Sequence, residues 1–424
     1  MSLDLSTDRA FVRNTGGSRR HLVIRWTAPP LLTTERRPPV KIAFSLDRSG
    51  SMGGQKILTA RQALLGAVAL LEERDSFSVV AFDDRVDAIT PLLPATAEAK
   101  AAAQVAVATI EPRGNTNLFR GFLTACETIA TEGTGGSQGT ARCMLLTDGQ
   151  ANQEETDPDR LAAHATALRQ RGIGLSTFGI GADFDEHLLR AMADAGGGNF
   201  FYVESPAHIP EVMRRELSEV LLISQRSVAA SLTLPAGVTA RVIGAQRVQQ
   251  GPPVTILLGD LVADEMVELV ISLKFPAGGA GMQAPVSVSL TDQDGQRATA
   301  SISWKFAEGP INDTQPRNLV ADRLVAQRHA DRARLKALKL NRDGQYKEAA
   351  DMLTAVASHI RAYAGTDAVL VALLGELQAD AIVYAKRMDE SGRKSRHMTT
   401  SSRIRGKLET GSARRSTAME PEEE

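Results

Sequence analysis

Cysteine is nearly missing from this chain of 424 residues: Cys126 and Cys143 are its only two. Two are too few for a disulfide framework, which points to a reducing compartment. Long apolar runs are missing as well. The stretch "ALLGAVALL" at 63–71 is among the longest, far short of the ~20 residues a membrane-spanning helix needs. The opening "MSLDLSTDRAF" has no basic segment leading into an apolar block, so no signal peptide is expected and the expected location is cytoplasmic. Net charge is close to absent, at −1, which leaves no global pull toward nucleic acid or a membrane surface. Aromatic residues make up 4% and charged residues 23%, with Ala and Gly abundant, an ordinary composition for a soluble globular protein. No G-x-x-x-x-G-K-[ST] occurs, so a phosphate-binding P-loop is unsupported. The seven histidines (His21, His164, His187, His208, His329, His359, His397) are scattered without ligand-like spacing and read as mostly solvated, not as a zinc site.

What is present falls into textures. Residues 40 to about 223 alternate apolar runs ("VKIAFSL", "FSVVAF", "CMLLT", "GLSTFGIG", "FFYVES") with helical patterns over 55–73, 97–110, 117–131, 158–170, 185–195 and 206–222. That alternation predicts an α/β fold, a doubly wound and mostly parallel sheet covered by helices on both faces. "FSVVAFDDRVDAI" reads as a hairpin turning at Asp83-Asp84, hence one antiparallel edge strand. From 226 to 306, short alternating segments separated by Pro, Gly and Asp turns predict a β-sandwich. The N-terminal "RAFVRNTGGSRRHLVIRWTAP" has the same alternation around a turn at 14–18. Either it pairs with the later sandwich, making the α/β domain an insertion, or it adds to the α/β sheet as an edge hairpin. Residues 317–342, 345–364 and 367–388 read as helices, the second with Tyr346, Ala350, Leu353, Ala357 and Ile360 on one face. The expected division is therefore 1–37 (strands pairing with the sandwich), 38–223 (α/β), 224–308 (sandwich), 309–390 (helical) and 391–424, a polar segment ending "EPEEE" that reads as a disordered tail.

The first strand of the α/β part ends oddly, in "LDRSGSMGG": Asp47, Ser49 and Ser51 stand two apart, followed by Gly53 and Gly54. In doubly wound sheets ligands bind outside the carboxyl ends of the strands, near the switch point. Alternate residues of an extended loop face one way, so the three can converge. Two further segments should reach that edge: "EPRGNTNLFRG", whose Thr116 precedes a helix, and "CMLLTDGQAN", where Asp148 ends another strand. One Asp, two Ser, one Thr and a second Asp form an all-oxygen set suited to Mg²⁺ or Mn²⁺. The competing explanation is that an Asp or Ser merely caps a helix, which applies best to Ser51.

D-x-S-x-S closing a strand, then a G-x-T-N loop, then "LLTDG" closing a later strand, resembles the von Willebrand factor A (VWA) domain and its metal-ion-dependent adhesion site. The likeness covers residues 38–223, with Gly114-Asn115-Thr116 where many relatives have two glycines. The flanking regions resemble bacterial intracellular VWA proteins and, more loosely, the heavy chains of inter-alpha-trypsin inhibitor. The resemblance implies a protein partner whose Asp or Glu completes the metal's coordination. That partner would dock on the loops near 48–54, 113–118, 149–155 and 181–186, with Arg48, Gly50, Met52, Asn115, Asn117 and Gly149 as contacts. Recognition or scaffolding, not catalysis, is the expected role. The alternative is a metal-assisted hydrolase or phosphatase centred on Asp47, for which His164 and His187 are the candidate bases. "GGSQG" at 135–139 matches G-x-S-x-G, but it precedes a strand where a nucleophile elbow must follow one. Cys126 and Cys143 read as buried thiols. The basic stretches 317–342 and 391–415 read as a solvated helix face and a solubilising tail.

Overall fold

Strand-forming alternation starts at once, in β1 (Ser2–Thr7), β2 (Phe11–Arg13) and β3 (Arg19–Thr27). The computed structural model describes residues 2–31, 37–130, 139–149, 151, 153–181, 183–244, 246–404 and 407–408. They cluster into two compact units: residues 31–223, and residues 1–30 together with 224–424.

The first unit contains β4 (Val40–Asp47), α1 (Gln55–Leu70), β5 (Ser76–Phe82), β6 (Val86–Pro94), α2 (Ala97–Ala108), α3 (Leu118–Ala130) and β7 (Thr140–Thr147). It continues through α4 (Pro158–Gln170), β8 (Ile173–Ile180), α5 (Glu186–Gly196), β9 (Gly197–Val203) and α6 (Ile209–Leu221). The sheet order is β6-β5-β4-β7-β8-β9. All neighbours are parallel except β5 and β6, joined by the turn at Asp83-Asp84. The chain builds outward from β4 to β5 and β6, then crosses back to β7 on the other side. The carboxyl end of β4 is therefore the topological switch point.

Parallel strands covered on both faces must be apolar almost throughout, and β4, β7 and β8 are. On one face Ile42, Phe44 and Leu46 pack with Leu64 and Val68 of α1 and with Met213 and Leu217 of α6. Helix α3 runs against β4, β5 and β7, so closely that a Cβ on Gly121 would fall 2.3 Å from the Phe82 ring. The far end of β4 is pinned by a buried ion pair. Asp75 takes two hydrogen bonds from the Arg37 guanidinium, at 2.8 and 2.6 Å, and others from the backbone N–H groups of Val40 and Glu72.

The second unit continues with β10 (Ile223–Thr233), β11 (Thr239–Val242), β12 (Arg247–Gln249), β13 (Val254–Val262), β14 (Met266–Lys274), β15 (Gln283–Thr291) and β16 (Arg297–Ala307). These strands form two sheets, β1-β3-β14-β11 and β12-β13-β10-β15-β16-β2. β3 pairs with β14 from Arg19↔Lys274 to Thr27↔Met266, and β2 runs parallel to β16. The edge-hairpin alternative is therefore not what forms. The turn at 14–18 passes the chain from one sheet to the other and does not close a hairpin. Both tryptophans serve this core, each with its N–H satisfied: Trp304 donates to Thr7 and Trp26 to Gln225.

Helices follow: α7 (Gly309–Thr314), α8 (Leu319–Arg342), α9 (Tyr346–Ala364), α10 (Ala368–Tyr384) and α11 (Glu390–Ile404), then a short β17 (Lys407–Leu408). They cluster with the sandwich and are not separate from it, because Ala321 and Val325 of α8 cover Val23 and Val270 of the sheet. The buried stripe of α9 is Ala349, Leu353, Ala357, Ile360 and Ala364; Tyr346 and Ala350 flank it.

Two expectations are corrected here. Helix α11 continues through residues 391–404, where a structureless tail was expected. Their composition hides it, since the helix is held by Arg396 pairing with Asp380 at 3.0 Å and by burial of Ile404. The basic stretch of α8 is only partly a solvated face: Arg334 is buried and bridges Asp380 and Glu376, while Arg323 pairs with Asp367, the cap of α10.

Burial alone would raise the Asp75 carboxyl, but the Arg37 pair and the backbone donors outweigh it and hold it below the usual carboxylate range. Its contribution is complete above the unfolded-state value and is lost as pH falls through the depressed native one. Asp75→Asn should cost about 3 kcal/mol at neutral pH, since it leaves the buried Arg37 guanidinium with only the exposed Glu72 as counter-charge. The variant should also lose less further stability than the parent as pH falls from about 5 to about 3. Urea unfolding across that range checks both.

Candidate metal centre

Asp47 closes β4 as a fully buried carboxylate. One of its oxygens accepts the backbone N–H of Ser49 at 2.8 Å, and the other accepts the Thr147 hydroxyl at 2.5 Å. From there a chain of oxygens runs outward. The Ser49 and Ser51 hydroxyls are 3.1 Å apart, and Ser51 donates to Asp148 at 2.7 Å. Neither serine caps a helix through its side chain, so the capping explanation fails for both. Thr116 joins through the opposite loop: a Cβ on Gly149 would lie 2.9 Å from the Thr116 hydroxyl. Gly149 thus lets the loop after β7 close over Thr116. The structure brings all five residues of the motif to one edge. Asp47, Ser49, Thr116 and Asp148 are buried and Ser51 is exposed.

The loops are locked by a second, fully ionic layer. Asp83, also buried, accepts Arg48 at 2.8 Å, Arg113 at 2.6 Å and the Arg85 N–H at 2.7 Å. Both arginines reach on to Asp87. Burial pulls the Asp83 carboxyl up, but these donors prevail and keep it below the ordinary range. Backbone bonds complete the tie: Arg113 N–H to the Arg48 carbonyl at 2.8 Å, Gly50 N–H to the Gly114 carbonyl at 3.1 Å, and Asn117 N–H to the Asp83 carbonyl at 2.8 Å. Gly114 is needed for this closure. Its φ is +64°, and an added Cβ would meet the Asp84 carboxylate at 1.9 Å.

That layer corrects three of the expected docking contacts. Arg48 is spent on Asp83 and Asp87, and Met52 lies in the hydrophobic core. Asn117 is buried and accepts the Arg120 N–H in the first turn of α3. Gly50, Asn115 and Gly149 remain at the surface or near it. Two functional neighbours were missed by sequence reasoning. Thr147 orients Asp47, and its signal was a hydroxyl closing an apolar strand beside the aspartate. Lys56 donates to Asp148 at 2.5 Å and to the Ser51 carbonyl at 3.3 Å. Its signal was a cation in the first turn of α1, where the helix dipole disfavours one.

Burial first, and the nearby Asp148 charge last among the causes, push the Asp47 carboxyl up to about 6, against the pull of its hydrogen bonds from Thr147 and Ser49. With Lys56 spent on Asp148, the buried Asp47 carboxylate has no cationic partner among the described residues, and a hard cation amid oxygen donors would supply that counter-charge. Among the described residues, no three His, Cys, Asp or Glu side chains group together, so hydroxyls must provide the remaining donors. The candidate bases make contacts elsewhere: the His164 ring rests on Phe119 at 5.0 Å, and His187 lies 3.6 Å from Glu186. Residues 135–138 of the G-x-S-x-G match lie outside the described residues. Cys126 and Cys143 are buried free thiols, and burial, then Cys143, pushes the Cys126 thiol well up, which makes it inert. Among the described residues no helix is long and apolar enough to cross a membrane.

Residues 41–215 match the family model for the von Willebrand factor type A domain. Protein YfbK of Escherichia coli (strain K12) is 28% identical over 292 residues, 65% of this chain and 50% of that protein. The human inter-alpha-trypsin inhibitor heavy chain H4 is 30% identical over 184 residues, 41% of this chain and 19% of that one. The chain thus spans about half or less of the length of these curated relatives. A solved structure, the von Willebrand factor type A protein from Catenulispora acidiphila, superposes with a TM-score of 0.72 at 20% identity, covering 96% of this chain and 97% of that one. That likeness establishes the shared fold across both units.

Asp83→Asn should cost about 3 kcal/mol, because it removes the buried charge shared by Arg48 and Arg113 and leaves them only the exposed Asp87 as counter-charge. Chemical denaturation measures it. Arg113→Ala, at the exposed end of the same cluster, should leave the denaturation midpoint much nearer the parent's than Asp83→Asn does.

Proposed function

We propose that in the stretch matching the von Willebrand factor type A family model, residues 41–215, the switch-point edge is a divalent-metal-dependent docking site for a protein partner. Domains of this type commonly hold a divalent metal and mediate protein–protein interaction. Here Asp47, Ser49, Ser51, Thr116 and Asp148 would hold Mg²⁺ or Mn²⁺, and an Asp or Glu of the partner would complete its coordination. The observation that carries the reading is the run of hydrogen bonds from buried Asp47 through the Ser49 N–H and the Ser49 and Ser51 hydroxyls to Asp148, with the loop at Gly149 packed against Thr116. With three neutral hydroxyl donors and only one of the two carboxylates bound directly, the ion would keep residual positive charge, and a carboxylate from outside would satisfy it. The exposed rim of Gly50, Ser51 and Asn115 is where that partner would meet the chain. The role is recognition or scaffolding in a cytoplasmic setting, in keeping with only two cysteines, too few for a disulfide framework.

Catalysis at Asp47 is the weaker reading. A hydrolase needs a base within reach of the metal-bound nucleophile, and His164 and His187 are engaged with Phe119 and Glu186.

Lys56 acts on the same site as a tethered competitor. Its ammonium neutralises Asp148 in the absence of a metal ion and must yield when a divalent cation arrives.

Calorimetric titration with Mn²⁺ should show one site in the parent chain and none in Asp47→Ala. Lys56→Met should bind the ion about tenfold more tightly, because a repelling charge is removed. Binding that is unchanged in Asp47→Ala would sink the metal assignment. The partner assignment is tested separately, by pull-down with the parent chain and with Ser49→Ala/Ser51→Ala, with and without EDTA. The same proteins retained under all four conditions would leave a metal site without a docking role.

A further inference from the structure

The sandwich carries a second polar concavity, independent of the metal site. β3, β14 and β11 lie side by side, and their alternate residues form three rows on the face turned away from the sandwich core. The register gives Arg19–Lys274–Thr239, then His21–Ser272–Arg241, then the Val23–Val270 pair. The third row, extended by Ile243, is covered by Ala321 and Val325 of α8. One turn further along α8, His329 sits over the second row, its ring 5.9 Å from that of His21. Between helix and sheet a cavity of about 180 Å³ remains, whose polar lining is Arg19, Arg241, Lys274, His329, Thr239 and Ser272.

The charge pattern here is one-sided. Arg19 and Lys274 stand directly opposite each other on neighbouring strands, an arrangement that costs stability when both are cations. Among the described residues, no acid lines the cavity. Two acids of these strands and the loop beside them are committed elsewhere: Asp8 accepts the His21 backbone N–H at 2.7 Å and lies 3.5 Å from its ring, and Glu268 pairs with Arg25 at 2.7 Å. Arg19, Arg241 and Lys274 themselves form no ion pair among the described residues. The His329 imidazole is driven down to about 4, first by burial and then by His21, His359, Arg332 and Arg241. It is therefore neutral at physiological pH and available as a hydrogen-bonding group.

We infer that this cavity binds a phosphate group, held by Arg241, Arg19 and Lys274 as counter-charges and by Thr239 and Ser272 as hydroxyl donors. Guanidinium groups match phosphate oxygens two at a time, and the flexible lysine adds a point charge. The volume suits one phosphate and falls below the ~300 Å³ at which sites for larger ligands begin, so the bulk of any phosphate ester would lie outside, over the exposed strand edge at β11. Phosphate that is free, carried by a small ester or displayed as a lipid headgroup has the same chemistry at this cavity.

The test is a calorimetric titration of the whole chain with inorganic phosphate in EDTA, which keeps the metal site out of the measurement, against sodium chloride of equal ionic strength. Saturable heat with phosphate alone is expected. Arg241→Ala and Lys274→Ala should each weaken it by about tenfold. Both side chains are exposed, so neither change touches the core, and unaltered thermal unfolding confirms that the variants fold. Ser51→Ala should bind phosphate like the parent chain. Sedimentation with phosphatidylcholine vesicles containing phosphatidic acid separates the sources: retention that both cation variants lose assigns a headgroup, and phosphate heat without retention assigns a soluble ligand. Heat no greater than that of chloride, or phosphate binding unchanged in both variants, would overturn the inference.

Discussion

A carboxylate buried at the end of a buried strand is the constraint on which the α/β unit turns. Asp47 cannot reach solvent, and its own hydrogen bonds from Ser49 and Thr147 do not cancel the cost of placing charge there. Everything around it reads as compensation or restraint. The serines extend the polar path outward, Lys56 balances Asp148, and the Arg48–Asp83–Arg113 cluster prevents the loops from relaxing away from one another. A site whose donors come from three separate loops needs such restraint, because loops without it would lose the shared geometry before any ligand arrived.

The division of labour among charged residues follows from burial. Arg48 and Met52 sit within the signature loop, where sequence position alone made them look like contacts, yet one is spent inside an ion cluster and the other fills the core. Of the six contacts expected from the sequence, those still at or near the surface are small or neutral: Gly50, Asn115 and Gly149. A surface of this kind has little specificity of its own, so it would depend on the charge at its centre for orientation.

The second unit shows a different economy. Only two tryptophans occur, and both are placed in the sandwich core with their N–H groups satisfied. The helices beyond it are held as much by arginine pairs as by apolar stripes. Hence α11 was invisible as a pattern: its anchors, Arg396 to Asp380 and the burial of Ile404, depend on residues supplied by other helices. The same holds for the cavity beside β11. Arg19, Arg241 and Lys274 are far apart in the chain and unremarked there, and strand register alone makes them neighbours.

Periodicity and motif spacing carried the α/β alternation, the antiparallel edge at Asp83-Asp84 and the convergence of Asp47, Ser49, Ser51, Thr116 and Asp148, because these rest on local geometry: which residues alternate, and which strand ends face one edge. The route of the N-terminal strands into two different sheets, the withdrawal of Arg48, Met52 and Asn117 from the surface, and the pairing of Lys56 with Asp148 were decided only in three dimensions. Each depends on a partner tens or hundreds of residues away. Local sequence holds the propensity of a side chain, but its charge is satisfied, or left wanting, by whatever the tertiary fold sets beside it.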